Sequence, residues 1–348
     1  MIPFEFLSPE KLSDACELVN HRECMALAGG TTMLDLMKLN VLKPQRIVSV
    51  SPLLNREITL ETDQLWLGAG CTMSQVADDM TVKRYIPALR QSLLTAASPQ
   101  IRNMATMGGN LLQRTRSPYF RHPDFPADAR VEDSMAQSLA EDAGPVSNHL
   151  AMLGADDRMV GTYPGDFGNV LVAFGGTVHL TGGAGARQVP ADAFFKLEPD
   201  QHVYSTDLRP GELIEGLSIP IDACTKSSLY YKLRERSSYA FALCSAAVGL
   251  ELDGMGETAD IVQARVGLGG LAPYPWHSRE AVEALVGKKA TDANFQQAAE
   301  VALQSAKPLP DSEYRLTLAK RILVRSLRLL RDQGTWADSE LWAMQHGR

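Results

Sequence analysis

Cysteine is scarce and badly spaced for metal chemistry. The 348 residues hold five, Cys16, Cys24, Cys71, Cys224 and Cys244, with no C-x-x-C pair among them, so they read as ordinary thiols and not as a metal cage or disulfide framework. The histidines form no H-E-x-x-H or similar pairing, and no motif supports a metal site. Long hydrophobic runs are missing as well. No stretch reaches the roughly 20 apolar residues of a membrane span, and Met1-Ile2-Pro3-Phe4-Glu5-Phe6 lacks the basic start and apolar core of an export signal. The expected location is the cytoplasm, or the periplasm if the folded chain is carried out with a signal-bearing partner. An excess of positive charge is absent. The net charge is -7, which gives no reason to expect nucleic acid. G-x-G-x-x-G does not occur, and no acidic residue closes a second strand to hold a ribose, which argues against a nicotinamide-binding Rossmann fold. No Ser-His-Asp or Cys-His arrangement emerges.

What the chain does have is apolar mass and glycine loops. With 45% hydrophobic residues over this length it can bury a large core in two or three domains. The stretch from Met25 to Lys38, M-A-L-A-G-G-T-T-M-L-D-L-M-K, reads as strand, glycine turn and helix start. Gly29 and Gly30 permit positive φ and close approach of a ligand, while the following amides and the Thr31 and Thr32 hydroxyls suit an anion such as a diphosphate. A second loop, Ile101 to Leu112, I-R-N-M-A-T-M-G-G-N-L-L, again offers a threonine, Thr106, a pair, Gly108-Gly109, and an amide side chain, Asn110. Two such loops can hold one extended cofactor.

Together A-G-G-T-T-M-L-D-L-M-K and R-N-M-A-T-M-G-G-N-L resemble the FAD-binding medium subunit of the molybdenum hydroxylases, the xanthine dehydrogenase, aldehyde oxidoreductase and carbon monoxide dehydrogenase group, over nearly the whole chain. The resemblance implies an α+β fold: a two-lobed FAD-binding domain of the vanillyl-alcohol-oxidase/PCMH type, followed by a C-terminal α+β domain of antiparallel sheet and helices. It assigns FAD to Leu27, Ala28, Gly29, Gly30, Thr31, Thr32, Met33 and Leu34 in the first loop. In the second it assigns Thr106, Gly108, Gly109 and Asn110, with Leu111-Leu112 as an apolar wall near the ring. Asp166, in T-Y-P-G-D-F, resembles the family aspartate that hydrogen-bonds the cofactor. Lys232, in Y-Y-K-L-R-E-R, resembles the lysine beside the isoalloxazine ring, where a fixed positive charge favours the anionic reduced ring. The implied function is an electron-transfer subunit. A large subunit would oxidise substrate at a molybdenum-pterin centre, a small one would relay electrons through two-iron two-sulfur clusters, and FAD here would deliver them to an external acceptor. The alternatives are a self-sufficient flavin oxidoreductase and a structural subunit with a decayed cofactor site.

The expected lobes are 1–55 (α/β), 56–222 (α+β, with an insertion at 114–165) and 223–348. In one branch of the family T-R-C-P-Y-F-R begins an insertion whose four cysteines hold a four-iron four-sulfur cluster. Here the segment reads Thr115-Arg116-Ser117-Pro118-Tyr119-Phe120-Arg121, and the ligand positions fall on Ser117, Ala127, Ala136 and Met159. Such clusters need thiolates, so no iron-sulfur cluster is expected in this chain. Acidic pairs such as Glu132-Asp133 and Glu141-Asp142 suggest an exposed lobe. His277 stands where the family has an arginine and reads as a tolerated surface change. In the last helix Arg315, Lys320, Arg321, Arg325, Arg328 and Arg331 read as a solvated face.

Overall fold

The computed structural model describes residues 1–117, 120–121, 150–155, 161–195, 206–309 and 312–335. The expectations for Pro118, Tyr119, Ala127, Glu132, Asp133, Ala136, Glu141, Asp142 and Met159 lie outside the described residues.

Among the described residues three sheets organise an α+β architecture. The first is parallel, with β1 (Glu5–Leu7), β2 (Cys24–Leu27) and β3 (Arg46–Ser49) in the order β1-β3-β2. Its crossovers are α1 (Leu12–Val19) and α2 (Met33–Lys38). Parallel neighbours need such crossovers, which is why the glycine turn sits at one end of the sheet, between β2 and α2. Helix α1 has Lys11 at its cap position without a side-chain bond, and Pro9 precedes it.

The second sheet is antiparallel. Strands β4 (Ile58–Leu60) and β5 (Gln64–Gly68) lead into α3 (Met73–Asp78), α4 (Met80–Tyr85), α5 (Pro87–Thr95), α6 (Pro99–Arg102) and α7 (Met107–Leu111). After the insertion come α8 (Asp166–Ala173), β6 (Thr177–Gly182), β7 (Gly185–Pro190), α9 (Ala191–Phe194) and β8 (Leu213–Pro220), giving the order β4-β5-β8-β6-β7. Helices α3 and α4 are divided at Asp79, whose carboxylate accepts the Thr81 and Val82 amides at 2.7 and 3.0 Å and so caps α4. Helix α5 ends at Thr95, because Ala96 is extended and Ala97 turns left-handed at φ 48°.

The third sheet follows α10 (Ala223–Lys226): β9 (Ser228–Leu233), β10 (Cys244–Asp253), β11 (Asp260–Gly269) and β12 (Trp276–His277), antiparallel in the order β12-β11-β10-β9. Helices α11 (Arg279–Leu285), α12 (Asp292–Ala302) and α13 (Glu313–Gln333) cover it. The stripe Ala319, Leu323, Leu327 and Leu330 of α13 shares a core with Val248 and Val266. Arg315 and Arg331 continue that stripe at four-residue spacing and correct the sequence reading, whereas Arg321 and Arg325 are exposed as expected. Arg315 is fully buried and donates to the carbonyls of Leu150, Leu243 and Gly270. Arg331 is nearly as buried and pairs with Asp292, Glu257 and Asp332, while Lys320 and Arg328 pair with Glu300 and Asp292. These cations bind the helix to its neighbours, because their long stems lie along apolar surface while the heads reach fixed acceptors.

Two bonds set β9 against α5 and thereby position the site: Gln91 Oε1 accepts the Tyr230 amide at 2.7 Å, and Ser228 Oγ accepts the Ala88 amide at 3.2 Å.

Candidate functional site

The first glycine loop is held open by its backbone. Gly30 has φ 71°, a region that penalises any side chain. The Leu34 amide returns to the Gly30 carbonyl and Leu36 to Thr32, both at 3.1 Å. The amides of Thr31, Thr32 and Met33 have no protein acceptor among the described residues, as expected for a helix start. Gly29 serves a second purpose. A Cβ there would lie 2.0 Å from the Met104 carbonyl oxygen, so only glycine lets the two loops touch.

The second loop is stitched to the segment after β5. Met73 donates to Ala105 O, Met107 to Cys71 O and Gly108 to Ala69 O, at 2.8–3.0 Å, and Thr106 Oγ1 caps α7 by accepting the Gly109 amide at 3.3 Å. The amides of Gly108 and Gly109 are therefore already paired within the protein, and Gly108 also packs against Ala69. Gly109 is open on the other side. Asn110 is buried and donates from Nδ2 to Met73 Sδ at 3.3 Å, while its Oδ1 has no partner among the described residues.

Two cavities meet at these loops. One of about 480 Å³ is lined by Leu27, Ala28, Gly29, Gly30, Met33, Thr106, Gly108 and Leu112, along with Arg114 and the turn 208–214. The other, of about 780 Å³, is lined by Asn110, Tyr163, Asp166 and Lys232 and by part of the β9–β10 loop, including Tyr239 and Phe241. Thr31, Thr32, Ala105 and Gly109 line both. Ala97 and Tyr239, two non-glycine residues with left-handed φ, border the larger one, the kind of backbone strain that collects at functional sites.

Deep in the larger cavity Lys232 Nζ meets Asp166 Oδ2 at 2.7 Å and donates to Thr95 O at 3.2 Å. The other carboxylate oxygen accepts the Tyr230 hydroxyl at 2.5 Å. Both charges are out of solvent, at 1% and 5% side-chain exposure, so the pair is a tightly compensated ion pair. Burial pushes the Lys232 ammonium below the usual lysine range against the opposing pull of Asp166, and burial with the Asp166 charge holds the Tyr230 phenol well above its ordinary value. The isolated positive charge read from the sequence thus has a carboxylate partner.

An FAD-sized ligand fits this chemistry. Two cavities with a shared wall give room for an extended molecule, the unpaired amides of the first loop and the Thr31 and Thr32 hydroxyls suit a diphosphate, and buried Asn110 Oδ1 suits a donor such as a ribityl hydroxyl or ring N–H. Leu34 lies outside both cavities on an exposed face, and Leu111 is buried in the core instead of forming a wall with Leu112. Sequence reasoning passed over Asp35, Arg116 and Arg121, which line the larger cavity: Asp35 Oδ2 receives Arg116 Nη1 at 3.1 Å and Arg121 Nη2 at 2.9 Å. All three stood within stretches already singled out, but nothing local relates Asp35 to residues some eighty positions later. Among the described residues no group of His, Cys, Asp and Glu could hold a metal ion. Burial pushes the Cys71 thiol up to about 11 and those of Cys224 and Cys244 to about 12, which disfavours ligating thiolates.

Residues 2–222 match the family model described as FAD binding domain in molybdopterin dehydrogenase, and residues 229–330 match the CO dehydrogenase flavoprotein C-terminal domain. The chain is 34% identical to the aldehyde oxidoreductase FAD-binding subunit PaoB of Escherichia coli, over 88% of this chain and 91% of that one. It is 25% identical to the carbon monoxide dehydrogenase medium chain of Afipia carboxidovorans, over 94% and 97%. A chain in the crystal structure of quinoline 2-oxidoreductase from Pseudomonas putida 86 superposes with TM-score 0.70 at 25% identity, covering 94% of this chain and 96% of that one.

Proposed function

This chain belongs to the family of FAD binding domains in molybdopterin dehydrogenases, and from that premise we propose that it is the FAD-carrying electron-transfer subunit of a heteromeric molybdenum hydroxylase. In this reading a large molybdenum-pterin subunit oxidises the substrate, a small subunit passes the electrons through two-iron two-sulfur clusters, and this chain hands them to an external acceptor. The names of the relatives, an FAD-binding subunit and a medium chain, support a multi-subunit assembly.

The carrying observation is the pair of adjoining cavities that share Thr31, Thr32, Ala105 and Gly109, the larger of which is lined by the Asp166–Lys232 pair. Bound FAD would supply exchange of electrons singly on one side and in pairs on the other. The protein's residues would bind and orient. The first loop would hold the diphosphate through amides and threonine hydroxyls, Asn110 would accept a hydrogen bond from the flavin half, and Leu27 and Leu112 would exclude water from the smaller cavity. Lys232 would offer a donor whose charge Asp166 offsets. The insertion contributes no thiolate, so the iron of the complex would reside in the partner.

The test is the visible spectrum, released flavin and iron content of the purified full chain. Stoichiometric FAD without iron is expected. A chain that neither retains nor takes up FAD overturns the reading, and flavin bleaching by an aldehyde or similar substrate without partners would replace it with a self-sufficient oxidoreductase.

A further inference from the structure

We propose that Arg116 and Arg121, clamped by Asp35, form an anion subsite for a diphosphate at the wall of the larger cavity. The proposal rests on the FAD reading for the source of that diphosphate, but not for the existence of the subsite.

Two guanidinium groups converge on one carboxylate oxygen, Asp35 Oδ2, at 3.1 and 2.9 Å. One negative charge is thus shared between two positive ones. Arg116 Nε and Arg121 Nη1 are buried and have no hydrogen-bond partner among the described residues. Buried guanidinium N–H groups without acceptors cost stability, and each is a donor suited to a phosphate oxygen. The excess charge is not cancelled by the rest of the lining. Arg116, Arg121, Lys232 and Arg236 face Asp35, Asp166 and Glu235, and Asp166 is committed to Lys232, which leaves one positive charge in excess. Burial and the neighbouring Arg121 charge both push the Arg116 guanidinium below its ordinary value, so a dianion would relieve the repulsion between the two. Phe241 stacks under Arg116 with 5.0 Å from the guanidinium carbon to the ring centroid, fixing its plane.

Placement favours the diphosphate of the cofactor. Asp35 lies on α2, one helical turn beyond Thr31, and Thr31, Thr32, Arg116 and Arg121 line the same cavity. The first loop offers only dipoles and hydroxyls to a dianion, whereas this cluster offers formal charge. The arginines belong to the T-R-S-P-Y-F-R segment that opens the insertion, which gives that segment a use independent of any cluster.

The experiment is calorimetric titration of the flavin-free full chain with inorganic pyrophosphate and separately with FAD, for the wild type, Arg116→Gln, Arg121→Gln and the charge-keeping Arg116→Lys. Each glutamine variant is expected to weaken pyrophosphate binding by about tenfold or more, the loss of one charge-assisted hydrogen bond, and Arg116→Lys by less. A parallel weakening of FAD identifies the cofactor as the source. Unchanged FAD affinity, with about tenfold weaker binding of ADP-ribose to the FAD-loaded chain, identifies a soluble nucleotide at the same subsite. Wild-type pyrophosphate binding without FAD uptake overturns the proposed function and leaves the subsite standing. FAD uptake with pyrophosphate binding indifferent to both arginines overturns the subsite and leaves the function standing. If a glutamine variant fails to fold, Arg116→Lys and the salt dependence of the wild type decide: pyrophosphate binding that does not weaken as salt rises overturns the proposal.

Discussion

Lys232 and Asp166 show how a residue's meaning changes once its neighbours are known. As a bare lysine beside a ring, Lys232 would tune the flavin with little effect on folding. Paired at 2.7 Å and almost without solvent contact, it and Asp166 also offset each other's buried charge. Lys232→Met or Asp166→Asn alone should destabilise the flavin-free chain by about 3–5 kcal/mol, because each leaves an uncompensated buried charge, whereas the double variant should recover most of the loss. Urea unfolding of the four proteins measures this coupling, and additive losses would show that the pair does not hold the site together. The sequence singled out both residues but not their pairing. They lie 66 positions apart and are brought together by β9 docking on α5.

Among the elements, the two glycine loops carry similar motifs and do different work. The first keeps amides free and touches the second at Gly29. The second spends its amides on the chain after β5 and opens toward the cavities at Gly109. Gly29→Ala should therefore destabilise the flavin-free protein by about 1–3 kcal/mol, as a Cβ placed 2.0 Å from the Met104 carbonyl oxygen forces the loops apart. Gly109→Val should instead abolish FAD retention with a smaller loss of flavin-free stability than Gly29→Ala, because its Cβ would press at 2.9 Å on the Thr106 hydroxyl and not on backbone. Thermal unfolding with and without FAD separates the two effects. FAD retained at normal levels by Gly109→Val would remove Gly109 from the site.

At the scale of the whole molecule, stability should depend on pH through two histidines that the folded chain shelters. His179, hydrogen-bonded to Ser218 at 2.9 Å, and His277, on β12, both have pKa values lowered from the ordinary 6.5, chiefly by burial. The unfolded chain then takes up these protons at a higher pH than the folded one, so stability falls as pH drops through 6.5 toward the lower folded values. The unfolding midpoint should decline between neutral pH and mild acid, and the double variant His179→Gln/His277→Gln should flatten that decline. An unchanged slope in the double variant would place the titration elsewhere. His277 is accordingly a half-buried strand residue and not the plain surface change its sequence position suggested.

The amino-acid sequence by itself determined the family, the α+β class and the two loops, because glycine turns, helix starts and alternating strands are written in adjacent residues. It also determined that no thiolate set exists between Cys71 and Cys224. Tertiary structure alone decided that Lys232 is neutralised by Asp166, that Arg315 and Arg331 are internal ties, and that Asp35 gathers Arg116 and Arg121 at the cavity wall. The physical reason is common to all three: a charge takes its role from the partner and the dielectric around it, and both are set by chain segments far apart in sequence.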